Sequence, residues 1–116
     1  MREELPPSEL FELLADEYAR AILIATADRR MSAPMLADHI DAANSTVYDR
    51  IDRLLDAGLL DGRDRISDDG DHYTAYSARL EGMAARLTAD GFTVETEVID
   101  RDAQADRLTD LWEGLR

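Results

Sequence analysis

The sequence predicts an α+β fold that is mainly α, and three observations support this prediction. Apolar residues recur with helical spacing in two segments that only residues 41–43 separate. Two strand-like segments follow, on either side of the turn-rich stretch Asp68 to Asp71. Further helical patterns stand before and after this unit. The order helix, turn, helix, hairpin is that of a winged helix-turn-helix.

The first predicted element is a single long helix over residues 8–27. Pro6 and Pro7 end the segment before it, and Ser8 is expected to be its N-cap. Its main apolar positions follow the helical repeat: Leu10, Leu14, Tyr18, Ile22 and Ala25. Three further apolar residues make this face wider than one small core requires: Phe11, Leu13 and Ile24. We therefore expect this helix to have a second packing partner.

The supporting helix of the helix-turn-helix is predicted within residues 31–41. Ser32 is a good N-cap, and Pro34 falls in the first turn, where its missing N–H costs little. The expected inner face consists of Met35, Leu36 and Ile40. The link that follows is as short as the turns of such motifs.

The recognition helix is predicted to begin with Asn44 as its N-cap and to stop at Gly58, which tolerates a left-handed conformation. One apolar stripe is expected to face the core: Val47, Ile51, Leu54 and Leu55. The same spacing turns a polar set outward: Ser45, Thr46, Tyr48, Asp49, Arg50 and Arg53. The helix is therefore amphipathic, with its polar face free to meet a partner.

Two hairpins are predicted after the recognition helix. The first, the wing, pairs residues 59–67 with residues 72–80. The second pairs residues 82–88 with residues 92–99, because Asp90-Gly91 is a strong signal for a tight turn. A helix that ends near Gly91 is the alternative for the first half of this stretch. The second hairpin could enlarge the sheet, form a dimer surface or hold an effector.

The last predicted element is a helix over residues 100–116, with Asp100 as its cap. Its apolar positions recur at helical spacing: Leu108, Leu111, Trp112 and Leu115. A length of 116 residues is that of one domain, so residues 1–116 are expected to form a single unit. Within it, residues 8–80 form the winged core.

The segment from Asn44-Ser45-Thr46-Val47 to Ala57-Gly58-Leu59 resembles the recognition segment of winged-helix regulators of the ArsR type, and the resemblance covers residues 8–80. It implies a dimer that binds operator DNA. First and last helices commonly pair in such regulators, which implies these dimerisation residues: Leu10, Leu14, Leu108, Leu111, Trp112 and Leu115. Docking of the last helix on its own domain is the alternative. The fold class is therefore a winged helix-turn-helix with an additional C-terminal β-hairpin and a terminal dimerisation helix.

The chain is strongly acidic, with 26 Asp and Glu against 13 basic residues and a formal net charge of −13. All the basic residues are arginine, and Asp outnumbers Glu. Such a composition opposes binding to nucleic acid at ordinary salt, because phosphate contacts depend on neutralising charge. It resembles that of halophilic archaeal proteins, whose solvent has a Debye length of about 3 Å at molar salt. A winged helix that binds only protein is the other interpretation.

The least acidic part of the chain is residues 44–66, with a net charge of −1, against −5 before it and −7 after it. Guanidinium groups in this stretch suit guanine or phosphate. The predicted DNA contacts are Asn44, Ser45, Thr46, Tyr48, Arg50, Arg53, Arg63 and Arg65. Alternatively, Arg53 pairs with Asp49 or Asp56, Arg63 and Arg65 only decorate an edge strand, and the first three residues only cap the helix. Tyr48 could equally stack on DNA or pack on the core.

Enzymatic activity is not expected, since the carboxylates lie on polar faces and in turns rather than in a pocket. No cofactor and no metal site are predicted. The chain has no cysteine for metal or redox sensing, its two histidines His39 and His72 are isolated, and Asp68 to Asp71 lacks the glutamate of a calcium loop. From the apolar pattern we expect neither a membrane span nor a signal peptide, and we therefore predict a cytoplasmic location.

The function predicted from these observations is a sequence-specific, DNA-binding transcriptional regulator, a repressor in the simplest mode, which acts as a homodimer at high salt. Its partners would be double-stranded DNA and a second copy of the chain. Two alternatives stay open: a winged-helix module for protein–protein interaction without DNA binding, and a regulator that senses an unknown small-molecule effector.

Overall fold

The computed structural model describes residues 5–103 together with residues 111 and 114. Within these residues, four helices precede four strands. The helices are α1 (Pro7–Ala15), α2 (Glu17–Asp28), α3 (Ala33–Ile40) and α4 (Asn44–Asp56). The strands are β1 (Leu60–Ile66), β2 (His72–Ala78), β3 (Leu80–Thr88) and β4 (Gly91–Val98). This architecture confirms the predicted α+β winged helix-turn-helix with an additional hairpin.

The single helix predicted over residues 8–27 is wrong, because the chain breaks at Asp16. This residue has an extended backbone, with φ −78° and ψ 124°, and its Oδ1 accepts a hydrogen bond of 2.8 Å from the Ala19 amide. Asp16 is thus the N-cap of α2, which explains why a helix starts again there. Ser8 is not a cap either, since α1 starts at Pro7, a residue suited to the first helical position.

The supporting helix α3 follows the prediction at its start, where Ser32 Oγ accepts a hydrogen bond of 3.3 Å from the Met35 amide. Its inner face is different, because Met35 is exposed while the small residues Ala33 and Ala37 are buried beside Leu36. The helix ends at Asp41, which has a left-handed backbone with φ 54°.

The recognition helix α4 has its N-cap one residue earlier than predicted. Ala43 is the N-cap, with an extended backbone and no side-chain cap, and Asn44 is the first helical residue. At the other end, Gly58 has φ 74° and donates to the Leu55 carbonyl, while Leu59 donates to the Leu54 carbonyl, both at 3.0 Å. This pair of bonds is a Schellman motif, as the glycine predicted.

The core lies where α2, α3 and α4 meet the base of the wing. Its side chains with almost no exposure come from every one of these elements: Ile22, Leu36, Val47, Ile51, Leu54, Leu59 and Leu60. The predicted inner stripe of α4 is confirmed, with Leu55 at the margin of the core. Burial of this stripe points the opposite face of α4 to solvent.

The wing is the antiparallel pair of β1 and β2, in a register that places Arg63 opposite Ala75 and Leu60 opposite Ala78. Its tip closes through the Ser67 amide, which donates to the Asp71 carbonyl at 2.8 Å. Met31 exchanges two backbone hydrogen bonds with Tyr76, of 3.1 and 2.8 Å, and this isolated bridge ties the segment before α3 to the wing.

The second hairpin is confirmed as the antiparallel pair of β3 and β4, starting two residues before its predicted beginning. Phe92 on β4 meets Phe11 on α1 edge to face, with ring centroids 5.9 Å apart. For Phe11, the expected second packing partner is therefore the second hairpin of the same chain. Ile24 and the tip residue Leu87 are exposed.

The last predicted helix begins as expected, because Asp100 Oδ1 accepts hydrogen bonds from the amides of Asp102 and Ala103, at 3.0 and 3.1 Å. Residues 101–103 are helical. Three of its predicted apolar positions lie outside the described residues: Leu108, Trp112 and Leu115. Among the described residues, no helix is long and apolar enough to cross a membrane.

Candidate nucleic-acid interface

The first turn of α4 presents a short polar surface to solvent. Asn44 and Ser45 are exposed, Thr46 is half-buried, and Tyr48 keeps 49% of its surface accessible. An open groove between α3 and α4 runs beside Asn44 and is also lined by Met35, Asp38 and Asp41. Short hydroxyl and amide side chains at this end of a helix can reach both phosphates and base edges.

Arg50 on α4 is turned toward the protein rather than toward solvent. Its Nε lies 3.0 Å from Asp16 Oδ1, its Nη1 lies 2.6 Å from Asp49 Oδ2, and its guanidinium lies 5.9 Å from the centre of the Tyr18 ring. The side chain is only 24% exposed. The hydrogen bond from Arg50 holds the pKa of Asp16 below its usual value.

Arg53, one turn further along α4, is far more accessible, with 64% of its side chain exposed. Its Nε lies 3.2 Å from Asp49 Oδ2, which is the intrahelical pair that the alternative interpretation anticipated. An exposed pair of this kind is weak and exchanges readily with another anion.

The two wing arginines share one face of β1. Because side chains alternate along a strand, Arg63 and Arg65 lie on the face of Asp61, while Gly62 lies on the other face with its cross-strand partner Tyr76. Tyr76 faces α4: burial raises the pKa of its hydroxyl, and so do the charges of Tyr48 and Asp52. Arg63 and Arg65 therefore leave the wing on the side away from α4.

Carboxylates from the start of the last helix meet these arginines. Arg63 Nη2 lies 3.2 Å from Asp100 Oδ2, Arg63 Nη1 lies 3.1 Å from Asp102 Oδ2, and Arg65 Nη2 lies 3.8 Å from the same oxygen. Arg63 Nε also lies 3.5 Å from Asp61 Oδ2. The two arginines and the two carboxylates of the last helix are partly exposed, with accessible side-chain fractions between 27% and 52%.

Arg30 is the organising residue of this cluster, and the sequence patterns did not reveal it. Its Nε donates to both Asp102 oxygens at 3.1 and 2.8 Å, Nη1 donates to the Ala75 carbonyl at 2.7 Å, and Nη2 donates to Asp61 at 2.8 Å. Only 14% of its side chain is exposed. The hydrogen bond from Arg30 lowers the pKa of Asp102. No spacing rule could find this site, since its members lie 31 to 72 residues apart.

The residues expected at a dimer interface are divided. Leu10 is buried in the core of its own chain, and Leu14 packs partly against the same core. Leu111 is exposed. The remaining three expected positions lie outside the described residues. The described part of the chain thus leaves Leu111 as the accessible member of the set.

In the part of the chain that the structure describes, no group of three or more histidines or carboxylates is arranged so that it could hold a metal ion. His39 and His72 are both exposed, on α3 and at the start of β2.

A family model described as a helix-turn-helix domain matches residues 14–63, from the end of α1 through the middle of β1. The matched residues fold as a helix-turn-helix. The match includes α3 and α4 in full, together with their exposed polar surface. No curated protein matches the chain.

Solved structures are similar to this chain over part or most of its length. Reduced HlyU from Vibrio cholerae N16961 is 20% identical, with a TM-score of 0.51 over 61% of this chain and 70% of that one. NolR from Sinorhizobium fredii is 18% identical, with a TM-score of 0.53 over 66% and 80% of the two chains. An ArsR family transcriptional regulator is 19% identical, with a TM-score of 0.48 over 96% and 97%. The first two similarities establish the winged helix-turn-helix fold.

Proposed function

We propose that this protein is a sequence-specific, DNA-binding transcriptional regulator that acts as a homodimer at high salt, a repressor in the simplest case. The observation that carries the proposal is the exposed polar first turn of α4, held outward by the buried stripe of Val47, Ile51 and Leu54. The helix-turn-helix match at residues 14–63 supports it, because that match includes the whole of α4.

The dimensions of α4 suit the major groove of DNA. Its 13 residues make a cylinder about 20 Å long, and a groove about 12 Å wide accepts one helix. In this pose the first turn would read base edges through Ser45 and Thr46, and Tyr48 would lie close to sugars or a thymine methyl. The wing would approach the flanking backbone.

High salt is part of the proposal because the net charge of −13 repels DNA over the Debye length, which shrinks to about 3 Å at 1 M. Two of the arginines predicted to contact DNA, Arg50 and Arg63, are held by two or more carboxylates each. Few phosphate contacts therefore form, and affinity should hold or rise toward molar potassium chloride.

The test is selection of DNA from a random duplex pool at molar potassium chloride, followed by titration of the enriched sequence from about 0.1 to about 3 M salt. The variant Thr46→Ala should lose about tenfold in affinity, as expected for one good base contact. Thr93→Ala on the second hairpin is the matched control and should bind as the wild type does. A steep loss of affinity with rising salt would contradict the high-salt part, and absence of any enriched sequence would contradict DNA binding.

Homodimer formation has separate support in the exposed Leu111 and in the limited core of a chain of 116 residues. Sedimentation equilibrium at the same salt measures it directly, and an inverted repeat in the selected DNA would report the same two-fold symmetry. Leu111→Glu should weaken the dimer while leaving binding to a half-site in place. If the wild type binds a single site as a monomer, the proposed homodimer is contradicted, whereas the proposed DNA binding is not.

A module that binds protein instead of DNA is the second candidate, and one observation favours it. All four arginines predicted for DNA contact are paired with carboxylates of their own chain. This function predicts no enriched sequence at any salt. It also predicts that Arg50→Ala does not change any residual, non-specific binding of the protein to DNA.

A further inference from the structure

Arg63 is enclosed by carboxylates from two parts of the chain. Asp61 approaches from its own strand, while Asp100 and Asp102 approach from the start of the last helix, 37 and 39 residues away in sequence. Arg65 is the next residue on the same strand face, and Asp102 is its partner too. The three nitrogen atoms of the Arg63 guanidinium thus each have a carboxylate oxygen within 3.5 Å.

We propose that Asp100 and Asp102 form an autoinhibitory contact, in which the start of the last helix occupies the wing arginines and competes with DNA phosphate for them. The inference rests on the proposed DNA-binding function, in which the long side chains of Arg63 and Arg65 would reach the flanking backbone from the face of the wing opposite Tyr76. A carboxylate and a phosphate offer the guanidinium fork the same geometry, two oxygens in one plane. A donor that is engaged by Asp100 cannot also neutralise a phosphate.

The competing pairs are poised to exchange because they are partly exposed. Arg63 is 42% accessible and Asp100 is 52% accessible in their pair, whereas Arg30 beside them is only 14% accessible. Exposed ion pairs contribute little and break easily, while the shielded Arg30 keeps Asp102 on the wing. The cluster therefore has a fixed centre at Arg30 and a releasable margin at Asp100.

Asp100→Asn tests the contact with little disturbance to the fold. Asparagine keeps the side-chain oxygen that caps the amides of Asp102 and Ala103, and it is as good an N-cap as aspartate. Only the charge that meets Arg63 is removed. Asp100→Ser is a second variant with the same logic, because serine also caps a helix and carries no carboxylate.

The matched control is Asp90→Asn at the tip of the second hairpin, which changes the net charge equally in a different sheet. Affinity for the selected DNA is measured by fluorescence anisotropy at several salt concentrations. Asp100→Asn should bind about two- to fivefold more tightly than Asp90→Asn, the range of one exposed ion pair. Its salt dependence should become steeper by about one released counterion.

A double-mutant cycle with Arg63→Gln identifies the arginine that is released. When Arg63→Gln is also present, Asp100→Asn should raise the affinity for DNA by no more than Asp90→Asn does. Equal affinities of Asp100→Asn and Asp90→Asn in the wild-type background would overturn the inference alone. Weaker binding by Asp100→Asn would also overturn it, because the carboxylate would then position the wing. If the wild type binds no DNA, the proposed function fails and the inference fails with it.

Discussion

Arg50 of the recognition helix α4 is joined to Asp16, the N-cap of α2. The Arg50 Nε lies 3.0 Å from Asp16 Oδ1, and the same oxygen accepts the Ala19 amide at 2.8 Å. The Asp16 carboxylate thus caps the start of α2 and also binds Arg50 on α4, the helix proposed to enter the DNA groove. Arg50 has a structural role of its own, in addition to any contact with DNA.

Removing the charge of Arg50 should lower stability. We expect Arg50→Gln to cost about 1 kcal/mol in the free energy of unfolding, since a partly buried, charge-assisted contact is lost. The measurement is urea unfolding followed by circular dichroism at one fixed salt concentration. Arg53→Gln, which breaks only an exposed pair, should change the same quantity by less than about 0.5 kcal/mol. Equal effects of the two variants would contradict the structural role of Arg50.

The two functions of Asp16 can be separated by substitution. Asp16→Asn keeps the acceptor for the Ala19 amide and loses only the charge that meets Arg50, whereas Asp16→Ala loses both. We expect Asp16→Ala to be about 1 kcal/mol less stable than Asp16→Asn, the usual contribution of a helix cap. Thermal unfolding of the two variants side by side measures the difference. If the variants are equally stable, the cap contributes nothing at this break.

Acid should remove the stability that these ion pairs give. The pKa of Asp16 is lowered by the hydrogen bond from Arg50, and that of Asp102 by the hydrogen bond from Arg30. A carboxyl with a lowered folded pKa stabilises the protein above the ordinary value near 3.8, and that stability is lost as the pH falls through the folded pKa. The unfolded chain then binds protons before the folded one does.

The double variant Asp16→Asn/Asp102→Asn should therefore show a smaller loss of stability between about pH 5 and about pH 3 than the wild type. Urea titrations at a series of pH values give this dependence. Asp90→Asn controls for the general effect of removing a carboxylate, and it should follow the wild-type slope. Parallel slopes for all three proteins would show that neither pair contributes.

Burial separates two leucines that look alike in sequence. Leu54 on α4 is fully buried, whereas Leu87 near the tip of the second hairpin is 75% exposed. Leu54→Ala should cost about 2–5 kcal/mol, because it leaves a cavity in the core. Leu87→Ala should change the free energy of unfolding by less than about 0.5 kcal/mol. Guanidinium unfolding of both variants measures the contrast, and a large effect of Leu87→Ala on the monomer would mean that the hairpin tip is covered.

Gly62 on the wing makes room for a tyrosine. A Cβ at this position would lie 3.1 Å from Thr74 Cγ2 and 3.1 Å from Tyr76 Cε1, closer than ordinary contacts, whereas a Cβ at Gly82 would meet only Glu97 Oε2 at 3.6 Å. We expect Gly62→Ala to displace the Tyr76 ring, seen as a change in its NMR shifts and those of Tyr48. Gly82→Ala is the control and should leave both rings unchanged. Unmoved tyrosine signals in Gly62→Ala would show that the neighbours adjust freely.

Local signals predicted most of the elements. The Ser32 cap, the Gly58 stop and the Asp90-Gly91 turn each act within a few residues, and the structure confirms the elements that they delimit. Asp16 is a local signal of the same kind. It lies inside an apolar pattern that continues across the break, so periodicity outweighed the cap and two helices were predicted as one.

The apolar repeat of α4 by itself determined which of its faces is buried, because a period of about 3.6 residues admits only one continuous stripe. The direction of each arginine depended on the tertiary structure. Arg50 turns to Asp16 from another helix, Arg63 turns to Asp100, and Arg30 joins Asp61 to Asp102. A long charged side chain can reach many places, and the nearest opposite charge is set by how distant segments pack. The sequence therefore determined where the proposed DNA-binding helix lies and which face it exposes, whereas the fold decided which of its charges are already engaged.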